Sequence, residues 1–75
     1  MKELQVQLKT IDDVKDFVNV VSKCPYDVDL SSGRYVVDAK SIMGIFSLDL
    51  SKPIKVEIFS DKCDDFVEQI KKFVV

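Results

Sequence analysis

The groups in this chain that could do chemistry are few. Thr10, Asp12, Asp13 and Asp16 crowd one short stretch, and Ser41 precedes an apolar run. Cys24 and Cys63 stand far apart, and histidine is absent from all 75 residues. An aspartate can accept a phosphoryl group as an acyl phosphate. Enzymes that use one organise Mg²⁺ with further carboxylates, and no such cluster is visible beyond Asp12, Asp13 and Asp16. The competing reading is structural: carboxylates in a first helical turn face the positive end of the helix dipole. The two cysteines match no metal-ligand spacing, and zinc without imidazole would need ligands from scattered positions. They read as inert thiols in a reducing compartment. With no acid–base pair, no nucleophile–base dyad and no phosphate-cradling glycine loop, the chain is not expected to be an enzyme. No cofactor or metal is expected either.

Composition narrows the classes further. Hydrophobic residues make up 47% and charged residues 32%, while two Gly and two Pro leave little room for disordered linkers. One domain over residues 1–75 is expected, near the lower size limit for folding without staples. The net charge is −2 with both signs interspersed, so there is no basic stripe and nucleic acid is not an expected partner. No apolar run approaches the roughly 20 residues of a membrane span. Met1-Lys2-Glu3-Leu4 lacks an apolar signal core, and the expected location is the cytoplasm.

The elements that must position these groups are legible from periodicity. Leu4, Val6 and Leu8 alternate with Glu3, Gln5, Gln7 and Lys9, which marks a half-buried strand. Thr10 then reads as a helix N-cap with Asp12 and Asp13 in the first turn. Ile11, Val14, Phe17, Val18 and Val21 follow at helical spacing to about Lys23, where Pro25 stops the helix. Tyr26, Val28 and Leu30 form a second strand, Ser31-Ser32-Gly33 a turn, and Arg34 to Asp38 a third strand. Ser41 opens a short helix through about Leu48. Pro53 sits where a strand tolerates a missing N–H, and Ile54, Val56 and Ile58 alternate as a fourth strand. Ser60 or Asp61 then caps a helix carrying Cys63, Phe66, Val67, Ile70, Phe73 and Val74 on one stripe. Four strands with one apolar face each call for a mostly antiparallel sheet covered on that face by helices.

One stretch carries a resemblance. Lys40-Ser41-Ile42-Met43-Gly44, followed by Ser47-Leu48, is similar to the Lys-Ser-Ile-Met-Gly segment of the HPr family, phosphocarriers of bacterial sugar phosphotransferase systems. Residues 18 to 58 lie along that family's pattern without a gap. The resemblance implies an α+β fold, an open-faced β-sandwich of order β-α-β-β-α-β-α, with three helices on one face of the four-stranded sheet. A ferredoxin-like split βαβ would share most of this order; the short middle helix and the extra C-terminal helix favour the HPr arrangement.

The first helix departs from that pattern outright. The family starts it with a His-Ala-Arg-Pro type run whose His carries the phosphoryl group. Counting back from Ser41 puts Thr10 at the His position, Asp12 at the Arg and Asp13 at the Pro. A helix N-terminus attracts anions through its unpaired N–H groups. Here Thr10 offers no imidazole, and two carboxylates repel a phosphate where it would sit. Lys9 and Lys15 nearby read as ordinary solvated charges. Phosphohistidine transfer is therefore not expected.

What the resemblance leaves is Ser41, whose counterpart in Gram-positive members is the substrate of a regulatory kinase. A phosphate there would bring about −2 charge to the positive helix end; the plain alternative is a cap contributing about 1 kcal/mol. Ile42, Met43 and Phe46 are three and four residues apart and can cluster on the outer side, the family's docking surface. Burial of Ile42 or Phe46 under the Lys52-Pro53 loop is the competing reading, whereas Ile45 and Leu48 should face the core. Phe59, on the polar phase of its strand, is a lesser candidate for the docking role. The implied function is a histidine-less regulatory adaptor, similar in kind to catabolite-repression relatives that have lost the carrier His. Its implied partners are proteins: an HPr kinase, phosphotransferase enzymes or a transcriptional repressor. The alternative is an interaction or structural module that keeps only the fold. Oligomeric state stays open.

Overall fold

The computed structural model describes residues 2–75. Its elements are β1 (Lys2–Val6), α1 (Ile11–Ser22), β2 (Val28–Ser32), β3 (Tyr35–Asp38), α2 (Ile42–Phe46), β4 (Ile54–Ile58) and α3 (Asp64–Gln69), followed by a 3₁₀ turn at Lys71–Phe73. The strands form one sheet in the order β1-β4-β2-β3, and every neighbouring pair is antiparallel. The three helices pack on one face: the periodicity called for an antiparallel sheet covered on one side, and the open-faced sandwich is what the resemblance implied.

Alternation along the strands decides which side is covered. Val6, Val28, Leu30, Ile54, Val56 and Ile58 point inward and are buried, together with Val14, Phe17 and Val21 of α1 and Ile45 of α2. Phe17 stands at the centre, edge-on to Phe66 at 6.4 Å and to Phe73 at 6.1 Å. Such edge-to-face pairs add about 0.5–1.5 kcal/mol each beyond the burial of their area.

The outward face is charged in an ordered way. The registers set Glu3 opposite Glu57, Glu57 opposite Asp29, and Asp29 opposite Asp38. Four carboxylates thus stand in one row across all four strands. Lys55 bridges two of them, at 3.5 Å from both Glu3 and Glu57.

Several local expectations are corrected by the tertiary structure. Leu8 is fully buried but lies beyond the end of β1. Ile11, expected on the buried stripe of α1, is 62% exposed; at 100° per residue it sits about 80° around the helix from Val21. Ser31 and Ser32 belong to β2, and the hairpin turns on Gly33-Arg34 alone. Gly33 has φ +60, the left-handed geometry that a primed two-residue turn requires at its first central position.

The C-terminal helix is the largest correction. It starts at Asp64, not after Ser60 or Asp61, and its N-cap residue Cys63 makes no side-chain cap bond. The Ser60 hydroxyl instead accepts from the Lys62 N–H, closing a turn. The helical stripe stops before Val74, because the tail pairs with the outer edge of β1. Gln7 N–H donates to the Phe73 carbonyl at 2.8 Å, and Val75 N–H to the Gln5 carbonyl at 3.0 Å. Continuing the helix would leave that stretch of the β1 edge without partners.

Candidate functional site

Two helix starts hold the residues singled out by sequence. At α1, Thr10 is extended (φ −129, ψ 165) and its hydroxyl accepts the Asp13 N–H at 3.0 Å. Asp13 in turn accepts the Lys9 N–H at 3.0 Å through Oδ2. The cap is therefore closed on both sides by its own residues, a variant of the capping box in which the acidic side chain reaches one residue further back. Asp12 is exposed in the same turn.

The cations beside this turn are already engaged or solvated. Lys72 Nζ lies 3.6 Å from Asp16 Oδ2 and 5.0 Å from the centre of the Phe73 ring. Lys9 is exposed and shares a shallow cleft with Gln7, Asp13 and Lys72. Asp13, whose carboxylate already accepts the Lys9 N–H, is the acidic residue that lines this cleft. Among the described residues no group of three or more His, Cys, Asp or Glu is placed to hold a metal ion.

At α2, Ser41 is the extended N-cap and its hydroxyl accepts the Gly44 N–H at 3.2 Å. The side chain is exposed, as a capping residue at the start of a surface helix should be. Gly44 is closely fitted there on two sides. A Cβ at that position would stand 3.2 Å from the Ser41 hydroxyl oxygen and 3.2 Å from the Val37 Cβ, so a side chain would crowd both the cap and the seat of α2 on β3. Ser47 closes the other end by donating its hydroxyl to the Gly44 carbonyl at 2.6 Å.

Lys40 ties the start of α2 to the end of α1. Its Nζ donates to the Cys24 carbonyl at 3.3 Å, and its N–H to Asp38 Oδ1 at 2.9 Å. A cation at a helix C-terminus is favourable against the dipole. The Cys24 thiol beside it donates to the Val20 carbonyl at 3.6 Å. Burial pushes this thiol up from its ordinary value, against a hydrogen bond to Tyr26 and the charge of Lys40. Burial also pushes the Tyr26 hydroxyl up to about 12. Neither group is poised as a nucleophile near neutral pH.

The apolar residues around Ser41 divide between core and surface. Ile45 and Leu48 are buried as expected, while Met43 is 76% and Phe46 41% exposed. Ile42 is the exception to the expected outer cluster: it is half-buried and packed against the core. Phe59 is exposed just past the end of β4, next to Asp27, Asp29 and Asp38. That acidic neighbourhood follows from strand register and carries no signal in the local sequence.

Comparison with known proteins adds three findings. A family model described as the PTS HPr component phosphorylation site matches residues 13–75; the match begins after Thr10 and Asp12. The structure is similar to HPr-C-His from Thermoanaerobacter tengcongensis, with a TM-score of 0.79 and 26% identity, covering 96% of this chain and 89% of that one. It also resembles, in fold, the phosphocarrier protein HPr from Bacillus anthracis, with a TM-score of 0.73 and 22% identity over 99% of this chain and 96% of that one. No curated protein sequence matches the chain.

Proposed function

The chain belongs to the HPr family, and from that premise we propose that it is a member without carrier activity that acts as a regulatory adaptor. On this reading residues 1–75 form one cytoplasmic HPr-like domain. Partners bind through the Ser41 helix, with Met43 and Phe46 as the exposed contacts and Ile42 as their partly buried support. No helix among the described residues is long and apolar enough to cross a membrane.

The observation that carries the proposal is the Thr10–Asp13 cap. A carrier must hold a nucleophile at this helix start and stabilise the phosphoryl group it receives. Thr10 has its hydroxyl engaged by Asp13 N–H, and Asp12 and Asp13 occupy the first turn. Coulomb repulsion acts against a dianion at that place. The Ser41 end is different: no acidic residue lies in the first turn of α2, so a phosphate on Ser41 meets the helix dipole with no carboxylate inside that turn. An exposed Met beside an exposed Phe suits a surface that adapts to more than one protein partner. The partner classes are an HPr kinase, phosphotransferase enzymes or a transcriptional repressor.

The test has three arms. Incubation with phosphoenolpyruvate and the general phosphotransferase enzyme should leave the protein unlabelled; a labelled species overturns the loss of carrier activity. ATP with an HPr kinase should add one phosphate, and Ser41→Ala should abolish it. Pull-down of phosphotransferase partners should weaken in Met43→Glu and Phe46→Glu. Failure of both the kinase and the pull-down arms would leave a module that shares only the fold.

A further inference from the structure

The sheet treats its two edges differently. Along β1, residues 73–75 of the same chain supply hydrogen bonds to Gln5 and Gln7, and Val74 faces Val6. At the other edge, β3 is the last strand in the order. A free edge presents a row of unpaired N–H and C=O groups, and proteins usually blunt it with Lys, Pro or a bulge. β3 reads Tyr35-Val36-Val37-Asp38: it has no Lys, Pro or bulge, and is guarded only by its shortness and by the charge of Asp38. Tyr35 is 70% and Val36 62% exposed.

Backbone direction decides which groups this edge offers. Ala39 N–H donates to the Val28 carbonyl at 2.9 Å, continuing the register that sets Val37 opposite Leu30 and Tyr35 opposite Ser32. The odd-numbered residues of this segment therefore direct their backbone groups at β2. Bonding alternates along an antiparallel pair, so Val36 and Asp38 aim theirs outward. The Asp38 carbonyl already accepts the Ser41 N–H, whereas both groups of Val36 are directed at open solvent.

We propose that β3 pairs antiparallel with β3 of a second copy of this chain, about a two-fold axis at Val36. Val36 then exchanges both backbone hydrogen bonds with the second copy's Val36, and Tyr35 lies opposite Val37. Arg34, the turn residue that leads into β3, comes within side-chain reach of the second copy's Asp38, and the symmetry repeats this pair at the other end, as an isologous interface demands. Charge complementarity selects the register. A slip of two residues either way sets Asp38 or Arg34 opposite Val36 and loses both ion pairs. A slip of one residue sets an outward-bonding residue against an inward-bonding one. The pairing also relieves the open face. Asp38 ends the row Glu3, Glu57, Asp29, Asp38, and Lys55 bridges only Glu3 and Glu57. The second copy's Arg34 places a cation at the end of the row that has none, where opposed like charges destabilise a sheet. Five residues a side, Arg34 to Asp38, make a smaller contact than a standard interface, which suits a weak, concentration-dependent dimer.

Sedimentation velocity of the full chain from about 10 µM to about 1 mM tests this. The wild type should pass from monomer to dimer. Arg34→Asp and Asp38→Arg should each weaken association at least ~10-fold, since each opposes like charges at both ends. The double variant should recover dimerisation. An equimolar mixture of the two single variants should form a heterodimer, because one copy then carries acids at both positions and the other carries bases at both. Circular dichroism of each variant checks that the fold is kept. A wild type that stays monomeric throughout, or single variants that dimerise as well as it does, overturns the proposal, and so does a mixture that fails to associate.

Discussion

Asp13 turns its carboxylate back on the chain that enters its helix: Oδ2 accepts the Lys9 N–H at 3.0 Å. With the Thr10 hydroxyl on the Asp13 N–H, Asp13 is held through both its backbone and its side chain. Thr10→Ala is expected to cost about 1 kcal/mol of stability, the usual contribution of an N-cap side chain. Urea denaturation at neutral pH measures it, and a loss below a few tenths would show that the cap is redundant.

The same arrangement predicts how carrier chemistry can be restored. Thr10→His alone should remain a poor phosphoryl acceptor, because Asp12 and Asp13 still face the incoming dianion. Adding Asp12→Arg and Asp13→Pro should raise labelling from phosphoenolpyruvate at least ~10-fold over the single variant, the cation and the removed charges both acting on the phosphate. Equal labelling of the two variants would show that the carboxylates are not the obstacle.

The open face should make stability depend on pH. Asp29 is held above the usual carboxylate range, first by burial and then by Asp38, Glu57 and Asp27. A carboxyl whose folded pKa is raised binds its proton more tightly in the folded state. Its penalty is therefore full above the raised value and disappears as pH falls towards the ordinary aspartate range. Asp29→Asn should melt higher than wild type at pH 7, and the gap should close by about pH 4. Thermal melts across that interval check the sign.

Gly44 should resist any side chain branched at Cβ. Its Cβ position already stands 3.2 Å from both Val37 Cβ and the Ser41 hydroxyl oxygen. Gly44→Val is expected to cost about 1–3 kcal/mol, the range for overpacking a fitted contact. It should also reduce Ser41 labelling by a kinase, because α2 must shift to accommodate it.

The two thiols should differ in reactivity. Cys24 is half-buried and raised by burial, while Cys63 is buried in the core. With Ellman's reagent at pH 8, Cys24 should react several-fold more slowly than a free cysteine. Cys63 should react only as the protein unfolds, at a rate that denaturant increases.

The amino-acid sequence by itself determined the element order, the caps at Thr10 and Ser41, most of the inward face of α1, and the inward residues of β1, β2 and β4. Those features depend on neighbours within about one helical turn or on strict alternation, which local chemistry encodes. It also showed that no imidazole is present to carry a phosphoryl group. Tertiary structure alone decided the rest. Val74 leaves its helical phase because the β1 edge supplies hydrogen bonds from residues some seventy positions earlier. Ile42 is half-buried because α2 sits against β3 and the core. Glu3, Glu57, Asp29 and Asp38 share a row only through the registers of three strand pairs. Register joins residues distant in the chain, and a shift by one position would send each side chain to the opposite face.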